Sequence, residues 1–309
     1  MPTKPVSENH SRLFDVGKQP FGTEGRGGYF DKYGIIRDIL QNHLLQVLTL
    51  MAMEPPTTFV GPNASKGVRD AKVNVLNAME PIRLEDVVLG QYEGYADDPT
   101  IENKDTNTPT FATIRMFINT PRWHGVPFIL KAGKALNERK AEMRVQFKDA
   151  PGAYYLFKGE ATPRNELGKS KIVVGYFLAL SILTGLSFAV MVMQPNESVY
   201  MKTNVKSPGF RSRPIQSELE VTYDSRFFAS QNASNPDAYT RLIVDVLRGR
   251  HEAFVRDDEL RRAWEIFTPV LHQIEKENIR PIIYKQGTRV SFGLELRRQQ
   301  FEMYFSYFS

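Results

Sequence analysis

Six short runs of strand character follow one another with no helix between most of them: Val87–Tyr92, Ala112–Ile118, Val126–Lys131, Met143–Phe147, Ser198–Lys202 and Leu219–Tyr223. Each is rich in β-branched or aromatic residues, partly alternating, and bounded by Gly, Pro, Asn or Asp. Parallel neighbours need long crossovers, usually helical, whereas antiparallel ones do not. The chain therefore predicts an α+β fold, a large mostly antiparallel sheet with helices packed on one face.

Helical stripes lie on either side of this block. From Ile35 to about Met53, Ile36, Ile39, Leu40, Leu44, Val47, Leu48 and Met51 recur at three- and four-residue spacing, the period of an amphipathic helix. His43 falls within that stripe and is expected to point inward, where an imidazole needs a hydrogen-bond partner. On position alone a satisfied core histidine is the plainer reading. Asp38, five residues earlier, lies about 140° round an α-helix, so it reaches a shared ligand only from the flank. Ala64–Met79 reads as a second helix, and Asp237–Leu247 and the run from Asp257 as two more. In the last, Pro269 predicts a kink. The stripes of all these helices are expected to meet the sheet.

Forty basic and 35 acidic side chains leave a charge of +5 in 309 residues, spread along the chain. Nucleic-acid binding calls for a clustered basic face, so a small anionic ligand fits better. With no cysteine and five scattered histidines, neither a disulfide framework nor a metal site is expected. Met1 to Val16 is polar and aperiodic, and residues 1–17 read as an unstructured arm.

Two stretches are of a kind that borders ligands. Phe21–His43 opens with Gly22, Gly25, Gly27 and Gly28 and hands over to the first long helix, and glycine lets backbone approach a ligand closely. Val126–Arg144 delivers Lys131, Lys134, Arg139, Lys140 and Arg144, five cations within fourteen residues. On a converging turn they suit a phosphorylated ligand, the alternative being a solvated basic turn.

The two stretches, Gly22-Thr-Glu-Gly-Arg-Gly-Gly-Tyr-Phe-Asp31 with Asn42-His-Leu-Leu-Gln46, and Gly125-Val-Pro-Phe-Ile-Leu-Lys-Ala-Gly-Lys-Ala-Leu-Asn-Glu-Arg-Lys-Ala-Glu142, resemble the C-terminal domain of the glucose-6-phosphate dehydrogenases. The likeness extends over most of Lys18 to Arg289. It implies oxidation of glucose 6-phosphate to 6-phosphogluconolactone with NADP, in the pentose phosphate pathway. His43 would be the general base, and Asp38, Lys134, Arg139 and Gln194 would hold the substrate. Lys131, Lys140, Arg144, Tyr200, Lys202 and Arg289 would hold a second, structural NADP. A cytoplasmic homodimer or homotetramer built on the large sheet is also implied.

The chain departs from that pattern in four places. No glycine-rich strand-turn-helix unit for the catalytic NADP precedes the domain, so this chain is expected to be inactive alone. Gln19 stands where the family usually has Glu, and residues 290–309 form an atypical aromatic tail. Residues 168–193 interrupt the resemblance as a hydrophobic insertion. Within it Ile172–Met193 carries no charge and is long enough for a membrane-spanning helix, although a retained intron is the simpler reading for a block between two strands. The rival reading of the chain is a non-catalytic oligomerisation or NADP-binding module, anchored to a membrane if that span is genuine.

Overall fold

Ten strands join in one sheet in a computed structural model that describes residues 10–56, 64–147, 171–172, 187–194, 197–206, 214–222, 238–251 and 253–288. They are β1 (His10–Lys18), β2 (Val87–Tyr92), β3 (Phe111–Phe117), β4 (Pro127–Gly133), β5 (Lys140–Phe147), β6 (Lys171–Ile172), β7 (Ser187–Gln194), β8 (Ser198–Lys206), β9 (Pro214–Thr222) and β10 (Ile282–Tyr284). Their order is β10-β2-β3-β4-β1-β5-β7-β6-β8-β9, with β7 also bonded to β8. Most pairs are antiparallel; β1 with β4, β10 with β2 and β6 with β7 are parallel. The α+β fold expected from the sequence is the one found.

β1 corrects the expected N-terminal arm. It lies between β4 and β5, pairing Leu13–Lys18 with Phe128–Gly133 on one side and His10–Lys18 with Phe147–Lys140 on the other. Ladders on both edges satisfy its backbone, and such long-range pairing leaves no local periodicity to read. Residues 1–9 lie outside the described residues.

The membrane span that the hydrophobic block allowed is not found among the described residues. Ser187–Gln194 is a strand between β5 and β8, and no described helix is long and apolar enough to cross a membrane. An unbroken apolar run also suits a strand inside a sheet. The hydrophobic block thus contributes β7, while residues 173–186 lie outside the described residues, as does the tail from 289.

The helices are α1 (Gly27–Phe30), a π-helical segment (Ile36–Leu44) running into α2 (Leu45–Ala52), α3 (Ala64–Asn77), α4 (Ala238–Leu247) and α5 (Asp257–Lys276). The core lies between them and the β2–β5 half of the sheet, where Leu40, Leu48, Leu76, Phe128 and Phe267 are fully buried. Helix α5 passes through Pro269 and buries Ile266, Phe267, Val270 and Leu271. Helix α4 behaves otherwise: Tyr239, Ile243, Val246 and Leu247 are exposed. Among the described residues its stripe is not a core contact.

Candidate functional site

The glycine-rich loop is built around Asp98. Its carboxylate accepts the Thr100 hydroxyl at 2.6 Å, the Thr23 hydroxyl at 2.8 Å and the Gly25 N–H at 3.1 Å. These bonds, Thr100 foremost, hold the Asp98 carboxyl well below the usual carboxylate range. Gly28 passes so close to the neighbouring backbone that a Cβ would sit 2.4 Å from the Thr100 carbonyl oxygen. The loop is a fixed rim that leaves Arg26 and Tyr29 exposed.

That rim leads into the π-helical segment, and here two expectations change. A π-helix bonds residues five apart and is often found at functional sites. The N–H of Leu45 reaches back to the carbonyl of Leu40. Asp38 and His43, five residues apart, therefore fall on one side of the segment instead of 140° from each other. The wider coil also moves His43 out of the buried stripe. His43 is exposed, while Ile36, Leu40 and Leu44 are buried. It points outward, contrary to the α-helical expectation, and its side chain has no bonded partner among the described residues.

Lys134, just past the end of β4, comes to the same place. Its Nζ donates to Gln19 Oε1 at 2.9 Å, lies 3.9 Å from Asp38 Oδ2 and sits 5.0 Å from the centre of the Phe30 ring. Burial presses this ammonium toward its neutral form, Asp38 opposes that, and Arg26 adds to it. The turn that carries it is pinned from three sides: the Ala135 N–H donates to Phe21 O, the Leu136 N–H to Gln19 O, and the Tyr284 hydroxyl to Lys134 O. Asp38 and Lys134 are thus brought together, with Gln19 as a direct partner of Lys134. Arg139 is exposed, and no hydrogen bond or ion pair joins it to this cluster among the described residues. Gln194 ends β7 opposite Ala141 of β5.

The other predicted cations share the opposite face. Cross-strand register puts Lys131, Val16 and Glu142 in one row, and Phe14, Arg144, Val190, Tyr200 and Glu220 in the next. Lys18 lies opposite Lys140, and Lys202 opposite Glu218. Glu142, 2% exposed, pairs with Lys140 Nζ at 3.0 Å and with the Arg144 guanidinium. Lys202 pairs with Glu218 at 3.0 Å and lies 5.4 Å from the centre of the Tyr200 ring. Burial, then Glu142, pushes the Tyr200 hydroxyl up. Arg144 Nε is buried with no partner among the described residues, so the face retains a buried donor for an anion. Arg289 lies outside the described residues. Sequence reasoning missed Arg26, Lys18 and Glu142; the last was readable, because positions 140, 142 and 144 alternate onto one face of a strand.

Comparison with known proteins decides which family the chain belongs to. Residues 16–174 and 186–295 match the family model described as "Glucose-6-phosphate dehydrogenase, C-terminal domain". The chain belongs to the glucose-6-phosphate dehydrogenase family. It is 51% identical over 282 residues to the cytoplasmic glucose-6-phosphate 1-dehydrogenase 5 of Arabidopsis thaliana, covering 91% of this chain and 48% of that one. With the Drosophila melanogaster glucose-6-phosphate 1-dehydrogenase it shares 48% identity over 294 residues, covering 91% and 50%. A solved glucose-6-phosphate dehydrogenase in complex with its substrate glucose 6-phosphate superposes with a TM-score of 0.76 at 42% identity, covering 93% of this chain and 54% of that one. The chain spans about half the length of these glucose-6-phosphate dehydrogenases. The family match pauses only over residues 175–185, a shorter interruption than the 168–193 insertion expected from the sequence.

Proposed function

We propose that this domain supplies the sugar-phosphate side of glucose 6-phosphate oxidation. The carrying observation is the convergence of Lys134, Asp38 and Gln19 beside an outward-facing His43. A half-buried ammonium with a neutral amide at 2.9 Å and a carboxylate only at 3.9 Å is short of negative charge, which a phosphate provides. Arg139 and Arg26 stand exposed nearby in sequence to the same turn and rim, and Arg139 and Gln194 join the substrate set by resemblance. His43 takes the proton of the C1 hydroxyl as general base, and Asp38 on the same side of the helix orients the imidazole or a sugar hydroxyl. NADP, when bound, accepts the hydride from C1, giving 6-phosphogluconolactone. The described residues offer no glycine-rich cradle for that coenzyme, so hydride transfer is assigned to the family's whole protein.

The outer face supports a second, structural NADP held by Lys131, Lys140, Arg144, Tyr200 and Lys202. Its unpartnered Arg144 Nε and its excess of cations fit a phosphorylated ligand. Homodimeric or homotetrameric assembly in the cytoplasm follows from the same family reading.

Calorimetric titration of the 309-residue chain with glucose 6-phosphate tests the first site. Binding is expected, and Lys134→Met should weaken it on the order of 100-fold, or about 2–3 kcal/mol, as for a lost hydrogen bond to a charged group. No binding, or binding indifferent to Lys134, overturns the assignment.

A further inference from the structure

A fully buried ion pair sits behind the site. Lys72 of α3 is 2% exposed and Glu259 of α5 is 0% exposed, with Nζ and Oε2 3.0 Å apart. Gln46 of α2 closes the third side and uses both ends of its amide: Oε1 accepts from Lys72 Nζ at 3.1 Å, and Nε2 donates to Glu259 Oε1 at 2.6 Å. The Arg256 N–H adds a bond to Glu259 Oε2 at 3.4 Å. Three helices therefore meet in one satisfied polar cluster. Such a pair is weak evidence of stability, since apolar replacements of similar volume often do as well. Fixing a register is the better-attested use.

The place where it grips has a consequence for the helix. Leu45 makes the last five-residue bond, to Leu40, and Gln46 is the next residue. Upstream, the Ile35 N–H is tied to Pro109 O at 3.0 Å, and Ile39 and Leu44 lie against Gly17 of β1. The segment is held at both ends, and the extra residue of its wide coil is confined between two anchors. Without the downstream anchor, the commoner α register is open to it.

We propose that Lys72 and Glu259, acting through Gln46, are positioning residues that hold Ile36–Leu44 in the π register and so keep Asp38 and His43 on one side. The consequence for substrate rests on the function proposed above; the register does not.

The test uses Gln46→Leu in the full chain, which leaves the ion pair intact. Through-hydrogen-bond NMR couplings identify the acceptor of the Leu45 amide, and calorimetry reads glucose 6-phosphate affinity. The variant is expected to fold, to move that bond from the Leu40 to the Gln41 carbonyl, and to bind at least ten-fold more weakly than the parent. A folded variant that keeps the Leu40 bond overturns the proposal. Should Gln46→Leu not fold, Gln46→Leu/Lys72→Met/Glu259→Leu, which refills the site with apolar groups, is judged by the same coupling. A parent chain that binds no glucose 6-phosphate would end the substrate reading, and the coupling would still decide the clamp.

Discussion

Lys131 and Lys134 are three residues apart and serve opposite sides of the sheet. Lys131 points to the outer face, where burial, Lys18 and Arg144 press it down to about 8 from 10.5. The fold therefore disfavours its charged form. Between about 8 and 10.5 the unfolded chain binds more protons than the folded one, so stability gains from this residue as pH rises through that window. Below it the cost is fully present. Lys131→Met should raise the melting temperature at pH 7, with the difference from the parent shrinking as pH approaches 10. A bound phosphate reverses the sign, because it favours the ammonium. NADP should raise the melting temperature of the parent more than that of the variant at pH 7; equal shifts would remove Lys131 from the ligand set.

At the scale of elements, the bend after β4 turns a strand of the sheet into a wall of the proposed substrate site, and Gly133 permits it. A Cβ there would lie 2.6 Å from Cδ2 of Phe111 and 2.9 Å from Cδ1 of Leu136, both side chains of the packed core. Gly133→Ala should cost about 1–3 kcal/mol, the usual scale of overpacking, and should weaken glucose 6-phosphate binding because Lys134 is the next residue. Urea unfolding and titration check both. The elements that were legible in the sequence are those whose pattern is local. β2 to β5, β8 and β9 announce themselves by composition, and α3 and α5 by spacing. β1 was not legible, because its partners lie more than a hundred residues away, and β7 was hidden in an apolar run that a strand and a span share. The candidate site could be named as a set of residues and not as a geometry: Asp38, His43 and Lys134 were proposed from resemblance, but α-helical angles turned His43 inward. Lys72 and Glu259 left a fainter signal. Lys72 shares a stripe with Val75, Leu76 and Met79, where a lysine needs a buried acid, and Glu259 lies in the acidic first turn of α5, where a carboxylate suits the helix dipole without any need of burial.

The whole molecule is a sheet with two unequal halves. Helices cover β2 to β5, whereas no described apolar side chain of β7, β8 or β9 belongs to the buried core. On the helix side of that uncovered half, register places Met191 beside Val199 and Val221, and Met201 beside Leu219. Leu219 is 63% exposed, Val221 49% and Met191 36%. A contiguous apolar surface of this kind marks an interaction site in a soluble protein, and a β-sheet face repeated on a second copy can cover itself about a two-fold axis. The homodimer proposed from the family reading thus has a place to form. Leu219→Asp should convert the associated species to monomer in sedimentation velocity. Its melting temperature should stay within a few degrees of the isolated monomer's, because the side chain makes no core contact to lose. Association unchanged by Leu219→Asp would move the interface elsewhere, the exposed stripe of α4 being another apolar face among the described residues.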